Sequence, residues 1–326
     1  MMPIPRRALL AATLAAPLVA PAVARAQTWP SGPIRIIVPF AAGGSTDAVA
    51  RISTPGLTQR LGVPVVVENR SGAAGSLGTG AVAQARPDGN TWLLTFDSHA
   101  TLPALLPNLP FNLTQDLDPV LLIGGAPYVI AVRPDKPYRS LDDIITAARA
   151  APEAVNYGST GNGTLGHLTM VLLGARAGVR MAHLPYRGGG LAVNDTVAGH
   201  IEMMIGSAAL VAPQIASGNL RAVVQFGPER LPGLSTIPTA AESGFPGLEA
   251  EAWWGVFAPH GTPAAMQERM GTALAESFRD ERVHHTMTET QQARVVLGGP
   301  EVLRVFLDRQ IALWGGVVQE HRVQAD

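Results

Sequence analysis

Residues 34–51 read Ile-Arg-Ile-Ile-Val-Pro-Phe-Ala-Ala-Gly-Gly-Ser-Thr-Asp-Ala-Val-Ala-Arg and predict a buried strand, a glycine turn and the start of a helix. The β-branched run stops at Pro39, and Gly43-Gly44 permit a tight turn. Ser45 or Thr46 can cap the helix that follows, and Asp47 would lie in its first turn, where the helix dipole favours a carboxylate. Free backbone N–H groups at such a helix start form a site for an anion.

The same order of strand, turn and helix continues beyond this stretch. A strand is expected at 63–67, a polar turn at 68–76, a helix at 77–85 and a strand at 91–95. This alternation predicts an α/β fold with a mainly parallel sheet, whose ligands bind beyond the carboxyl ends of the strands. Pro55 in the middle of the first helix predicts a kink or an early end.

The middle of the chain repeats the logic of the opening stretch. A strand at 155–157 leads into the glycine-rich turn 158–166, and a helix is expected through about residue 177. We therefore expect a second anion site that faces the first. Before it, two separate strands are predicted at 121–123 and 129–132.

Three further helices are predicted from local patterns. Residues 140–143 resemble a capping box before a helix that runs to about residue 150. Met266, Met270, Leu274 and Phe278 recur every four residues and predict one apolar helix face. A last helix is expected at about 301–319, and its apolar residues, like those of the preceding helix, are expected to pack as core.

Residues 1–26 have the pattern of a signal peptide. Arg6-Arg7 precede an apolar stretch, and Ala24-Arg25-Ala26 resembles a cleavage site. A membrane anchor is disfavoured because the stretch is short and contains two prolines. The protein is therefore expected to be exported, most simply to a bacterial periplasm.

Composition excludes several classes of protein. The 326 residues are 47% hydrophobic and 15% charged, which suits one large or two medium globular domains. Removing residues 1–26 leaves 24 − 3 = 21 basic residues against 25 acidic ones, a net charge of −4, which argues against nucleic acid as a partner. The absence of cysteine excludes disulfides, thiol catalysis and cysteine metal sites.

Two catalytic or cofactor patterns compete at the second glycine turn. Residues 161–166 match G-x-G-x-x-G, but no acidic residue follows at the distance a dinucleotide site needs, so no cofactor is expected. Ser159 lies in an approximate G-x-S-x-G elbow, which leaves an exported serine hydrolase as the alternative function.

The histidines show no zinc-binding spacing, so no metal is expected. Arg51, Arg70 and Arg187 are candidate carboxylate forks.

A series of short motifs extends over nearly the whole chain. These motifs are Pro39-Phe40, Gly43-Gly44, Asp47, Arg51, residues 67–70, Gly72-Ala73, Gly75, residues 98–100, 157–159, Gly161, Gly163, His167-Leu168, residues 185–188, Asp195, Gly199, Pro238-Thr239, residues 242–244, Trp254-Gly255, Ala258-Pro259 and Thr262-Pro263. In their order and spacing the chain resembles the solute-binding receptors of tripartite tricarboxylate transporters, or Bug receptors.

This resemblance implies a two-domain α/β periplasmic binding protein of type II, or Venus flytrap, with the ligand in a cleft between domains. The expected division is 27–131 with 252–326 as domain 1, and 132–251 as domain 2. It also implies a monomer that delivers a small carboxylate to the membrane subunits of the transporter; a receptor that signals to a sensor kinase stays open. The implied ligand contacts are Gly44, Ser45, Thr46, Asp47, Asn69, Ser71, Gly72, Ala73, Gly75, Ser98, His99, Ser159, Thr160, Gly161 and Asp195.

Asp97 departs from the pattern of these receptors, in which a small hydroxyl residue is commoner. It follows the strand at 91–95 and is therefore added to the predicted ligand contacts. If Asp97 faces the cleft, its charge would repel a dicarboxylate and favour a ligand with an amine, such as an amino acid, or a neutral amide.

Overall fold

The computed structural model describes residues 29–324, so the expected signal peptide at 1–26 lies outside the described residues. Within 29–324, no helix combines the length and the hydropathy that a membrane span needs. The helices and strands in chain order are β1 (Ile34–Val38), α1 (Ser45–Leu61), β2 (Val65–Asn69), α2 (Ser76–Ala83), β3 (Thr91–Phe96), α3 (Leu102–Leu105), β4 (Leu117–Val132), α4 (Leu141–Ala150), β5 (Asn156–Ser159), α5 (Leu165–Ala177), β6 (Ala182–Pro185), α6 (Gly189–Ala198), β7 (Met203–Ser207), α7 (Ala208–Ala216), β8 (Arg221–Gln225), β9 (Glu251–Pro259), α8 (Ala264–Arg279), α9 (Glu281–His285), β10 (Arg294–Gly298) and α10 (Pro300–Glu320).

The strands form a connected sheet in the order β2-β1-β3-β9-β4-β7-β5-β6, and β8 and β10 also pair with β4. We call the part with β1, β2, β3, β9 and β10 the first lobe, and the part with β5, β6, β7 and β8 the second lobe. Within each lobe the strand–helix units pair in parallel, whereas every pairing of β4 and β9 is antiparallel. The prediction of a mainly parallel sheet is therefore wrong. The sheet is mixed, because β4 and β9 carry the chain between the lobes against the direction of their neighbours.

Strand β4 is shared by the two lobes. Its residues 117–127 pair with β9, and from Tyr128 onward it pairs with β7 and β8. The two short strands predicted at 121–123 and 129–132 are thus one strand, and that prediction is wrong. Gly124 lies inside this strand, where a Cβ would overlap the carbonyl oxygen of Arg294 on β10. The domain boundaries predicted near 131 and 252 stay a prediction.

Helix α1 continues through Pro55 to Leu61, so the predicted early end is wrong, whereas the predicted kink stays a prediction. Proline lacks the N–H that would bond to the carbonyl of Arg51, four residues earlier. The hydroxyl of Thr54 donates to that carbonyl at 2.9 Å and so replaces the missing bond. The helix ends at Gly62, which adopts the left-handed conformation with φ of 74°.

Two predicted helical stripes pack as core. On α8, Met270, Leu274 and Phe278 are buried, and on α10 Leu303 and Trp314 are buried against the sheet. The capping box predicted before α4 is also present, since the Ser140 hydroxyl accepts from the backbone N–H of Asp143.

Candidate ligand-binding cleft

The turn between β1 and α1 is held together by Asp47. Its carboxylate accepts hydrogen bonds from the Gly43 backbone N–H at 3.0 Å, from Arg51 Nε at 2.9 Å and from Asn69 Nδ2 at 3.0 Å. Burial alone would raise the pKa of Asp47, but the bonds from Arg51, Gly43 and Asn69 outweigh it and hold the pKa below the usual value. Asp47 and Asn69 therefore fix the shape of the turn, and Arg51 is occupied as their partner.

The same turn rests against the second lobe. The Ala41 N–H donates to the carbonyl of Arg187 at 3.4 Å, and a Cβ built on Gly190 would lie 3.0 Å from the carbonyl oxygen of Gly43. Gly44 is the N-cap of α1 with no side-chain cap, so the predicted cap by Ser45 or Thr46 is wrong. The first turn faces the turn at 187–190 rather than the glycine turn at 158–163.

A cavity of about 460 Å³ lies between the lobes beside this contact. The first lobe supplies the end of β1 and the turn before α2, and the second lobe supplies the ends of β5 and β6. Among residues 29–324, no acidic residue lines the cavity, and Arg187 is the one charged residue that does. The lining residues are Pro39, Phe40, Ser71, Gly72, Ala73, Ala74, Gly75, Leu77, Thr160, Gly161, Asn162, Pro185, Tyr186 and Arg187.

The structure gathers part of the predicted site around this cavity. Predicted residues that line it are Ser71, Gly72, Ala73, Gly75, Thr160 and Gly161. Predicted residues outside its lining are Gly44, Ser45, Thr46, Asp47, Asn69, Asp97, Ser98, His99, Ser159 and Asp195. Lining residues missed as contacts are Pro39, Phe40, Leu77, Asn162, Pro185 and Tyr186. The signal that could have found most of them is an apolar or aromatic residue beside a glycine turn, as in Pro39-Phe40 and Pro185-Tyr186.

The first-lobe wall of the cavity has an unusual backbone. Four consecutive residues have positive φ: Gly72 at 139°, Ala73 at 44°, Ala74 at 54° and Gly75 at 94°. Alanine rarely adopts this conformation, so two alanines in succession store strain that the surrounding fold must maintain. Strain of this kind concentrates where a protein binds a ligand, which agrees with the position of the turn at the cavity.

Two stacked histidines hydrogen-bond to the second-lobe turn at residues 158–163. The rings of His167 and His183 lie 3.9 Å apart and nearly parallel. His183 Nε2 contacts Ser159 Oγ at 2.7 Å, and His167 Nδ1 accepts from the Gly163 N–H at 3.0 Å. Burial, aided by His167, lowers the pKa of His183 to about 3, so His183 is neutral at pH 7 and its ring stacks on that of His167.

Ser159 and His183 do not make a hydrolytic centre. Ser159 is fully buried, and its hydroxyl is also engaged by the main chain of Gly161. Among the described residues no carboxylate hydrogen-bonds to His183, which a triad needs to orient its base. A histidine with a pKa of about 3 is also a poor general base at neutral pH. Ser159 instead fixes the end of β5 and its turn.

Asp97 is fully buried beside the strand that both lobes share. Its Oδ2 accepts from the Tyr128 hydroxyl at 2.7 Å, and its Oδ1 has no hydrogen-bond partner in the described part of the chain. Burial raises its pKa to about 8, although the Tyr128 hydroxyl and the backbone N–H groups of Ser98 and Leu165 oppose the rise. Since Asp97 is not part of the cavity wall, the condition for its expected repulsion of a dicarboxylate is not met.

The neighbours of Asp97 are buried as well. Within residues 29–324, Ser98 Oγ has no hydrogen-bond partner, and neither ring nitrogen of His99 has one. The His99 ring packs on Phe257, with centroids 4.7 Å apart, and burial lowers its pKa to about 3. His99 is therefore a neutral, packed ring on the side of the sheet that α10 covers.

Asp195 lies behind the cavity wall. Its Oδ2 accepts from the Tyr186 hydroxyl at 2.7 Å, and its Oδ1 is 3.3 Å from His200 Nδ1. The bond from Tyr186, with help from His200, lowers the pKa of Asp195. Asp195 thus positions a ring that lines the cavity.

Comparison with known proteins agrees with this architecture. Residues 49–323 match the family model described as "Tripartite tricarboxylate transporter family receptor". The chain is 36% identical to Protein BugT of Bordetella pertussis over 297 residues, which is 90% of this chain and 91% of BugT. It superposes on the periplasmic binding protein BugD with a TM-score of 0.86 and 31% identity, covering 91% of this chain and 99% of BugD. The structure of R. palustris Rpa4515 with adipate gives a TM-score of 0.86 and 29% identity over 91% of this chain and 99% of the other.

These likenesses confirm the two-domain periplasmic binding protein fold that the motifs predicted. The matched family consists of solute-binding receptors and not of enzymes, which rules out the serine hydrolase as the function of Ser159. The match extends over 275 of the 326 residues, from 49 to 323 inclusive. The chain therefore belongs to the receptor family of the tripartite tricarboxylate transporters, the Bug receptors.

Proposed function

We propose that this receptor captures a small carboxylate in the periplasm and delivers it to the membrane subunits of a tripartite tricarboxylate transporter. The observation that carries the proposal is the cavity between the lobes, whose wall includes two glycine-rich turns and no acidic residue. A volume of about 460 Å³ suits a small organic ligand. The relative solved with adipate supports a carboxylate as its chemical class.

The turns explain how an anion is held with little side-chain charge. The wall includes the turn with the exposed Ser71 from the first lobe and the turn with Gly161 from the second, and in this proposal their main-chain N–H groups and the Ser71 hydroxyl donate to the ligand. Closing the lobes removes water from the cavity, and hydrogen bonds to a charged ligand become stronger in the lower dielectric. Because the ligand touches both lobes only when they are closed, binding shifts the population toward the closed state.

Export and delivery rest on the same family relation. The pattern of residues 1–26 predicts a signal peptide, and receptors of this family act in the periplasm. We propose that the chain acts as a monomer and presents the closed lobes to the membrane subunits. The individual ligand contacts at both turns, including Gly72, Ala73, Gly75 and Gly161, are part of this proposal.

A carboxylate that fits should raise the melting temperature of the protein. At a free concentration of 100 times Kd, the ligand adds about 2.7 kcal/mol to the free energy of unfolding. For a chain of this size that corresponds to a rise of roughly 5–10 °C. The measurement is a thermal-shift screen of adipate, malate, amino acids and aromatic acids, with calorimetry on each hit.

The matched uncharged compounds are the control for this screen. Adipamide should leave the melting temperature unchanged where adipate raises it. A complete panel of carboxylates with no shift would contradict the proposal. Turnover of nitrophenyl esters that disappears in Ser159→Ala would contradict it as well, because that result belongs to an enzyme.

Closure can be tested at Gly190. In Gly190→Val the new side chain meets the carbonyl oxygen of Gly43 across the lobe contact, where even a Cβ would lie at 3.0 Å. We expect affinity for the best carboxylate to fall about 10-fold or more, because the lobes cannot close fully. Isothermal titration calorimetry measures the affinity, and small-angle X-ray scattering should show that ligand no longer reduces the radius of gyration.

Gly316→Val is the matched control for this variant. Gly316 is also a helical glycine, on α10, but a Cβ there meets nothing within 4 Å. Both variants replace a helical glycine with valine, but only the one at Gly190 meets the other lobe, so only Gly190→Val should affect binding. Equal affinities of both variants would show that the contact between Gly43 and Gly190 is not part of the ligand-bound state.

A further inference from the structure

Arg187 is the charged residue of the cavity wall, and its guanidinium has no ion pair within the described part of the chain. The other two arginines that the sequence singled out are already occupied. Arg51 bonds to Asp47, and Arg70 bonds to Glu68 at 2.7 Å. Of the three predicted carboxylate forks, only Arg187 is available to a ligand.

The main chain fixes Arg187 where the lobes meet. Its carbonyl oxygen accepts from the Ala41 N–H of the first lobe. The next residue, Gly188, has φ of 132°, and a Cβ on it would lie 3.3 Å from the Ala41 nitrogen. The preceding Tyr186 is held by Asp195. Arg187 is therefore held at the cavity between two restrained neighbours.

The acidic groups near this region are engaged elsewhere. Asp195 is bonded to Tyr186 and His200, and Asp97 is buried against Tyr128 outside the cavity wall. Glu68 pairs with Arg70 and lies within 3.8 Å of Arg35. No acidic side chain of the cavity wall competes for Arg187, so the natural counter-ion is a charge on the ligand.

We propose that Arg187 binds a second, distal carboxylate of the ligand and so selects dicarboxylates over monocarboxylates of the same length. The inference rests on the proposed function, in which the glycine turns hold a carboxylate in the cleft. A guanidinium presents paired N–H donors that match the two oxygens of a carboxylate, and a half-enclosed site strengthens the pairing. The main-chain groups of the turns bind one carboxylate, and Arg187 binds the second carboxylate where the ligand has one.

The test compares aliphatic acids that differ only in the second carboxylate. Calorimetry measures Kd for the α,ω-dicarboxylates from succinate to pimelate, and for the monocarboxylate of equal length to the tightest of them, such as hexanoate for adipate. In Arg187→Gln we expect the dicarboxylate to lose about 10- to 100-fold in affinity and the monocarboxylate to change less than about 3-fold. Arg187→Lys should retain part of the dicarboxylate affinity that Arg187→Gln loses, because lysine keeps the positive charge but lacks the paired N–H donors of arginine.

Arg139→Gln is the matched control, since Arg139 is an exposed arginine of the second lobe that does not line the cavity. It should bind both acids as the wild type does. An unchanged Kd for the dicarboxylate in Arg187→Gln, or equal losses for both acids, would overturn the role of Arg187 and leave the receptor function standing. A wild type that binds neither class of acid would overturn the proposed function, and the inference with it.

Discussion

Replacing Asp97 with asparagine is expected to change how the free energy of unfolding depends on pH. The difference between variant and wild type should shift by several kcal/mol in favour of the variant from pH 5 to pH 8. Burial raises the pKa of Asp97 to about 8 from an ordinary value of 3.8. Between these values the folded state holds a proton that the unfolded state has lost, so this group makes stability fall by about 1.4 kcal/mol per pH unit as pH rises. The stability that protonated Asp97 contributes to the folded state is fully present below pH 3.8 and is completely lost above about pH 8.

Asparagine has nearly the same shape, cannot ionise and still offers an acceptor to the Tyr128 hydroxyl. Urea unfolding of both proteins from pH 5 to pH 8 should therefore show a difference that grows with pH. Asp142→Asn, at an exposed position on α4, is the control and should follow the wild type. Parallel curves for the wild type and Asp97→Asn would show that Asp97 ionises in the folded protein as it does in the unfolded chain.

Removing the Asp47 carboxylate is expected to cost about 2–4 kcal/mol of unfolding free energy. In Asp47→Ala the Gly43 N–H loses its acceptor, and Arg51 and Asn69 lose a shared partner. The melting temperature should fall by roughly 5–10 °C. Because these bonds lower the pKa of Asp47, its stabilisation is complete above pH 3.8 and is lost as pH falls below that value.

Asp135→Ala is the control for this variant. Asp135 pairs with Arg133 through both oxygens, but on the open surface, where such pairs contribute little. We expect no measurable change in its melting temperature. A comparably small change in Asp47→Ala would mean that the turn between β1 and α1 holds its shape without the carboxylate.

Local sequence patterns predicted well those helices, strands and turns whose formation depends on residues close together in the chain. The capping box at Ser140, the apolar stripe of α8 and the glycine turns all depend on residues within one or two turns of one another. The continuation of α1 through Pro55 was missed because a hydroxyl at Thr54 replaces the lost bond. The single strand β4 was missed because its glycines look like a break until β10 lies against them.

The candidate site likewise has features that depend on neighbouring residues and features that depend on tertiary contacts. Residues 34–51 predicted by themselves a strand, a glycine turn and a helix start, and the order of motifs predicted a receptor with two facing turns. Which turns face each other depends on how the lobes meet through β4 and β9, and that is a contact between residues more than a hundred positions apart. The tertiary structure therefore placed the opening turn against residues 187–190, buried Asp97 away from the cavity, and left Arg187 as the charge on its wall.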